Sequence, residues 1–310
     1  MTATTPGLSG IIPPVLTPRR PDGGLDRASL ARLCRGLIDA GVGGLFVGGS
    51  TGEAALLDDA TRLAALDVAV EAAGGRVPVL FGVIDTGTRR VIERARPARD
   101  HGAAALVATA PFYVSPGQRE ILAHFAELHR RLDLPIVAYD IPPATHVRIE
   151  PDTMIALARS GDIAAAKDSS GDLGGLLWTL DHTRDLGFPI FTGSETLAAT
   201  AVAAGAAGVV PGLGNVDPAG YVRLYEAARA GDARRAADEQ RRLSRLFRIV
   251  EIPDRGRIGV TAGAIGAFKA AMVHVGRIDH PDTWPPLGPL TAAEMAEVAR
   301  LVDKEINPPG

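Results

Sequence analysis

The stretch I-A-A-A-K-D-S-S-G-D, residues 163–172, is a short apolar run that ends on a lysine and passes at once into a polar turn containing Gly171. A run of this length, bounded by a turn signal, reads as a buried strand. It shows no alternation of polar and apolar residues, so both faces are covered, as in a parallel sheet packed under helices. Lys167 therefore stands where a strand hands over to a loop, the usual place for catalytic side chains in parallel α/β proteins. The chain holds three lysines, Lys167, Lys269 and Lys304, against thirty arginines. Arginine supplies surface charge equally well but does not give up its proton to act as an amine nucleophile. Lys167 is thus a candidate nucleophile, and burial, which disfavours the ammonium form, is what a Schiff-base lysine requires. The competing reading is a lysine that caps a strand and extends its amine to water.

Outward from this stretch the same unit repeats. Apolar runs at 10–17, 45–47, 77–83, 104–108, 136–139, 163–166, 190–192 and 208–210 predict eight strands. Helical spacing predicts helices over 26–40, 58–73, 88–101, 118–131, 151–159, 173–184, 195–204 and 218–230, with Asp26 as an N-cap and a bend at Pro97. Eight strand–helix repeats predict closure, and the fold class is an α/β TIM (β/α)8 barrel with a C-terminal helical extension. The barrel spans residues 1–230. Three further helices, at 231–250, 260–276 and 291–304, make up an extension over 231–310, and no flexible linker separates it from the barrel.

Composition removes several classes of function. The 310 residues carry a net charge of -3, which argues against a nucleic-acid binder. The one dense arginine cluster, Arg234 to Arg248, is interleaved with Asp238 and Glu239 and reads as a solvated helical face. Cys34 stands alone, so neither an intrachain disulfide nor a cysteine-based metal site is expected. No apolar run has the length of a membrane span and the first nine residues lack the pattern of a signal peptide, so the expected location is the cytoplasm.

In a barrel the post-strand turns converge on one mouth and are read together. After the second strand comes G-G-S-T-G-E, residues 48–53, whose small residues let backbone amides approach an anion and whose Ser50 and Thr51 add hydroxyl donors. By itself such a turn is often no more than a tight turn. The fourth strand leads to T-A-P-F-Y at 109–113 and the fifth to Y-D-I-P at 139–142, so two of the four tyrosines follow strands. Each could be a core residue with a satisfied hydroxyl; together they point to proton transfer beside the lysine.

These motifs, with K-D-S-S-G-D at 167–172, G-S-E at 193–195, G-L-G-N at 212–215 and F-K-A-A-M at 268–272, run through most of the chain. In this order and spacing they resemble the dihydrodipicolinate synthase and N-acetylneuraminate lyase superfamily of class I, Schiff-base aldolases. The resemblance implies that Lys167 attacks the ketone of pyruvate or another 2-keto acid, giving an imine whose nitrogen is the electron sink. It implies no cofactor beyond that covalent imine and no metal. Gly49, Ser50 and Thr51 would hold the substrate carboxylate. Tyr139 would shuttle a proton, with Thr51 and Tyr113 completing a hydroxyl relay in which Tyr113 crosses from a neighbouring subunit. Gly193, Glu195, Gly212 and Asn215 would line the remainder of the substrate site, although Glu195 reads equally as a helix N-cap and Asn215 as a turn residue. Lys269 matches a structural helix position. The implied partners are a small 2-keto acid and further copies of the chain, as a homotetramer built as a dimer of dimers.

The chain also departs from the pattern. Relatives that make the lysine precursor carry an arginine two residues after the proline of Y-x-x-P, where it receives the carboxylate of aspartate semialdehyde. Here that position is Ala144, and Arg148 lies four residues on in a segment read as extended. Loss of a bidentate clamp should weaken an acidic second substrate. The favoured expectation is therefore a lyase or dehydratase acting on a 2-keto-3-deoxy sugar acid or a similar 2-keto acid. The alternatives are a 4-hydroxy-tetrahydrodipicolinate synthase that uses another arginine, a barrel that binds a 2-keto acid without catalysis, and a site for a sugar phosphate at Gly212 to Asn215. His146 stands where many relatives have glycine and reads as a solvent-facing loop residue or an extra donor at the mouth. Asp168 and Asp172 read as caps of the following helix rather than as metal ligands.

Overall fold

Each apolar run becomes a strand covered on both faces. The computed structural model describes residues 7–306. Its strands are β1 (Gly10–Ile11), β2 (Leu45–Val47), β3 (Val79–Gly82), β4 (Ala105–Thr109), β5 (Ile136–Asp140), β6 (Ala165–Asp168), β7 (Ile190–Thr192) and β8 (Gly208–Val209). They form one sheet in the order β1-β8-β7-β6-β5-β4-β3-β2, and every pairing is parallel. The two outer strands meet: Pro14 bridges Phe46 in parallel, the Val15 N–H donates to the Phe46 carbonyl at 2.8 Å, and the Phe46 N–H donates to Pro13 at 3.0 Å. The sheet is thereby closed into the barrel.

The first strand is shorter than its apolar run. Pro13 and Pro14 have no N–H to give to a ladder, so regular pairing stops at Ile11 and the seam is carried by Val15 and Phe46. Inside the barrel Ile12, Phe46, Leu80, Val107, Val137 and Phe191 pack together. A larger apolar layer fills the space between the outer face of the sheet and the helices.

The helices are α1 (Arg27–Asp39), α2 (Asp59–Ala73), α3 (Thr88–Ala95), α4 (Gln118–Arg131), α5 (Pro142–Thr145), α6 (Pro151–Ser160), α7 (Leu173–His182), α8 (Ala198–Ala203), α9 (Pro218–Arg229), α10 (Ala233–Phe247), α11 (Val260–His274) and α12 (Ala292–Ile306). Asp26 caps α1 by accepting from Ser29 N–H at 3.0 Å, as expected. Helix α3 ends before Pro97 instead of bending through it, because proline removes a donor and restricts the residue before it. Helix α8 begins at Ala198, three residues later than its spacing predicts. The segment after β5, expected to be extended, forms the single turn α5 with Pro142 at its first position.

Beyond α9, helix α10 lies along α8 and α9, α11 packs against the turn at Gly212–Asn215, and α12 covers α10 and α11. The arginines of α10 meet carboxylates: Arg242 pairs with Asp217 at 2.5 Å and with Glu239 at 3.0 Å, and Arg245 with the buried Glu305 at 3.0 Å. Among the described residues no helix is long and apolar enough to cross a membrane.

The pairing of β1 with β8 depends on a glycine pair. Gly10 and Gly208 are register partners, and a Cβ on Gly208 would lie 1.8 Å from the Gly10 carbonyl oxygen. Gly208→Ala must push β8 away from β1 and should destabilise the fold by about 1–3 kcal/mol or more. Gly7→Ala, which meets nothing within 4 Å, should leave the urea midpoint unchanged. Equal midpoints for the two variants would mean that the close approach of β8 to β1 does not support the fold.

Candidate active site

Parallel pairing of β5 with β6 sets Tyr139 directly beside Lys167 and Asp140 beside Asp168. Because side chains alternate along a strand, the first pair projects to one face of the sheet and the second to the other. Lys167 is 5% exposed and Tyr139 3%, so both lie within the barrel. Lys167 Nζ sits 3.8 Å from the centroid of the Tyr139 ring and 5.2 Å from that of Phe46, and the two rings meet edge to face at 6.3 Å. No carboxylate among the described residues lies within salt-bridge distance of Lys167. The reading of this lysine as one that reaches out to water is therefore wrong: its amine ends among aromatic faces.

The glycines around it make room. A Cβ on Gly193 would lie 3.0 Å from Lys167 Cε and 2.0 Å from Ser169 Oγ, so the turn after β7 leaves space for the lysine stem. A Cβ on Gly49 would strike the Phe46 ring at 2.7 Å. Three non-glycine residues have left-handed backbone among the described residues: Glu53 (φ 58°), Tyr113 (φ 73°) and His146 (φ 57°). All three follow strands, after β2, β4 and β5. Strained conformations of this kind collect where function over-determines the backbone, and here they mark a single rim of the barrel.

The turn Gly48–Glu53 is closed by its own backbone. The Glu53 N–H closes onto the Ser50 carbonyl at 3.0 Å and the Ala54 N–H onto the Gly49 carbonyl at 3.2 Å. Neither the Ser50 nor the Thr51 N–H donates to any described residue, which leaves both free to meet an anion. Across the mouth, a Cβ on Gly212 would lie 3.3 Å from Thr51 Oγ1, 3.3 Å from Glu195 Oε1 and 3.0 Å from Phe268 Cε2. The turns after β2, β7 and β8 and helix α11 thus converge on one place.

Several expected residues sit differently from their reading. Glu195 does not cap a helix: its Oε1 accepts the Gly212 N–H at 2.9 Å, tying together the turns after β7 and β8. Burial pushes its carboxyl up, against the lowering effect of backbone donors including Gly212 and of the Lys167 charge. Asn215 does not face the mouth. Its amide donates to the Pro14 and Gly212 carbonyls, both at 2.9 Å, and accepts from the Leu16 N–H at 3.1 Å, so it stitches β1 to the last turn. Tyr113 is 95% exposed, whereas Lys167 and Tyr139 of the same chain are buried. The three-hydroxyl relay is accordingly not assembled in one chain. His146 is an exposed C-cap of α5, its N–H donating to Pro142 at 2.8 Å.

Behind the strands lies a charged cluster that was not legible in the sequence. Asp140, 2% exposed, accepts the Ile149 N–H at 2.9 Å, and Arg148 approaches it at 3.6 Å while donating to Asp172 at 2.8 Å. Asp172 caps α7 through the Gly175 N–H, as expected, whereas Asp168 binds the Ser170 N–H of its own turn at 2.7 Å. Arg148 is thereby held on the outer side of the barrel, while the exposed Ala144 offers no charge at the mouth. A second unread contact is the buried pair of Glu53 and Lys269, 2.5 Å apart. The scarcity of lysine was the available signal, and it pointed to Lys269 as well as to Lys167.

Comparison with known proteins covers nearly the whole chain. Residues 7–305 match the family described as the dihydrodipicolinate synthetase family. The chain is similar to the 4-hydroxy-tetrahydrodipicolinate synthase of Stenotrophomonas maltophilia, 35% identical over 294 residues and covering 95% of each chain. It is 36% identical over 245 residues to that of Methanoculleus marisnigri, covering 78% of this chain and 84% of the relative. Among solved structures it superimposes on YagE, a prophage protein of the dihydrodipicolinic acid synthase family from E. coli K12 solved in complex with pyruvate. That match has a TM-score of 0.88 and 29% identity, and covers 96% of this chain and 98% of the other.

The cluster behind the strands makes a pH prediction. Burial, with the Asp168 charge adding to it, pushes the Asp140 carboxyl up to about 6 from 3.8, against the Ile149 N–H and Arg148. Between these values the folded state holds a proton that the unfolded chain has released, so this group's contribution to stability falls as pH rises through the window. Asp140→Asn removes that penalty. From pH 4 to pH 7 the variant should gain on the wild type by about 3 kcal/mol at most, one pKa unit being roughly 1.4 kcal/mol. Glu53 and Glu195, pushed the same way, are common to both proteins and cancel. Parallel urea-stability curves across this window would show that Asp140 is ionised in the fold at no cost.

Proposed function

From the premise that the chain belongs to the dihydrodipicolinate synthetase family, we propose that it is a class I lyase that forms a Schiff base between Lys167 and a 2-keto acid. The observation that carries this reading is the placement of Lys167: buried, without a carboxylate partner, beside Tyr139 and at the mouth that holds the Gly48–Glu53 turn. The amine adds to C2 of the keto acid, and loss of water leaves a protonated imine on Nζ. The faces of Tyr139 and Phe46 favour that cation. The substrate carboxylate rests on the free N–H groups of Ser50 and Thr51. Tyr139 gives its proton to the departing water and is left as a phenolate; in the cleavage direction it then takes the C4 hydroxyl proton, the C3–C4 bond breaks, and its electron pair moves into the imine to give an enamine and an aldehyde. Protonation at C3 and hydrolysis then release pyruvate and the free lysine. Imine chemistry of this kind requires neither a metal nor another cofactor.

The favoured substrate is a 2-keto-3-deoxy sugar acid or a related 2-keto acid with a neutral distal end. Arg148 is held by Asp140 and Asp172 outside the barrel, and the position of the family's carboxylate-binding arginine is Ala144. The names of the curated relatives support a second reading, 4-hydroxy-tetrahydrodipicolinate synthase, which would need another cation for its acidic aldehyde. Tyr113, fully outside its own barrel, completes the relay only from a neighbouring subunit, so the working enzyme is at least a dimer and, on the family pattern, a homotetramer in the cytoplasm.

Borohydride added with pyruvate should reduce the imine and fix a pyruvyl group on Lys167, located by peptide mass. Lys167→Ala should abolish both trapping and turnover; trapping that persists in it removes the proposal. Tyr139→Phe should still be trapped, yet turn over more slowly by roughly 10²- to 10⁴-fold. Wild-type turnover in that variant would reassign Tyr139 to packing. A panel of 2-keto-3-deoxy acids alongside pyruvate with aspartate semialdehyde decides the substrate class. Turnover of the semialdehyde alone would favour the second reading.

A further inference from the structure

We infer that the C-terminal extension sets the shape of the carboxylate cradle through Lys269, which acts as a positioning residue for the Gly48–Glu53 turn. This rests on the cradle holding the 2-keto acid's carboxylate, and it adds the part of the chain that holds the cradle in place.

Lys269 and Glu53 are both fully buried, more than two hundred residues apart in sequence, with Nζ 2.5 Å from Oε2. Oε2 has no aligned hydrogen bond; its compensation is the lysine charge. The other carboxylate oxygen accepts the Trp284 N–H at 2.7 Å, and Lys269 donates to the Asp282 carbonyl at 2.8 Å. The Trp284 indole N–H donates to the Thr17 carbonyl at 3.1 Å, and the Thr17 hydroxyl donates to the Gly52 carbonyl at 2.8 Å. The last residues of the cradle are thus gripped twice: at Glu53 by α11 and the 282–284 segment, and at Gly52 by the segment after β1, itself anchored by Trp284.

Glu53 carries this contact on left-handed backbone. A glutamate adopts that conformation at a cost unless its surroundings impose it, and here the imposing contacts come from the extension. Its N–H closes the turn onto the Ser50 carbonyl, so the position of Glu53 fixes where the Ser50 and Thr51 amides point. Burial pushes the Glu53 carboxyl up and the Lys269 ammonium down, and each is the main compensation of the other. A buried charge that loses its partner is strongly destabilising, so a cradle without Lys269 shifts or unfolds locally.

The test is the pyruvate dependence of borohydride trapping on the full-length protein, with thermal melting in parallel. Lys269→Met leaves a lone buried carboxylate and destabilises the fold; the double variant Glu53→Gln with Lys269→Met removes both charges and keeps an acceptor for Trp284. In the double variant, half-saturating pyruvate should rise tenfold or more, while the trapping rate at saturation stays within about threefold of wild type. A purely structural pair would lower the melting temperature and leave half-saturation unchanged, and that result would overturn the inference. Wild-type protein that is not trapped at all would remove the Schiff-base reading and, with it, any substrate carboxylate for this pair to position.

Discussion

A lysine amine inside a barrel, with aromatic faces for neighbours and, among the described residues, no carboxylate within salt-bridge distance, is the constraint around which the rest of this protein is arranged. Burying such a group is expensive, and a chain that replaces nearly every other lysine by arginine has kept one here. The fold supplies the conditions that make it useful. Parallel register sets Tyr139 beside it, the glycine at 193 leaves space for its stem, and the eight short strands keep water from its lower side. The closed seam between Val15 and Phe46 matters for the same reason, since an open sheet would wet the amine.

The second buried lysine shows the opposite solution. Lys269 sits against a carboxylate and a carbonyl and has no free electron pair to offer, whereas Lys167 is left without a fixed partner. In the proposed reaction the two are linked through the cradle: one meets the substrate's carbonyl, the other steadies the loop that holds its carboxylate. Electrostatics therefore divides the labour between two residues of the same type. The outer face of β5 and β6 carries a third arrangement, in which Asp140, Asp168 and Asp172 surround Arg148 and keep that charge away from the mouth.

Much of this was legible in the sequence for simple physical reasons. Wholly apolar runs between helices admit few architectures, so the eight strands and the barrel could be read directly, and the spacing of Lys167, Tyr139 and the small-residue turn placed them at strand ends. Boundaries were less legible where proline decides them, as at Pro13, Pro97 and Pro142, because its effect depends on which N–H the neighbouring strand or turn needs. The roles of Glu195 and Asn215 were not readable at all. Whether an amide or carboxylate faces a ligand or a backbone group is settled by loops that lie far apart in sequence, and in both cases backbone partners claim the side chain. Glu53 was visible only as part of a motif; its partner, 216 positions later, appears only when the extension folds back on the barrel.

In the proposed reaction the amine of Lys167 and the amides of Ser50 and Thr51 act on the same small keto acid. A crystal structure of protein soaked with pyruvate tests this most directly. Continuous density is expected from Lys167 Nζ to C2 of the ligand, with the carboxylate against those two N–H groups. Pyruvate bound without a covalent link, or with its carboxylate directed away from the cradle, would contradict it.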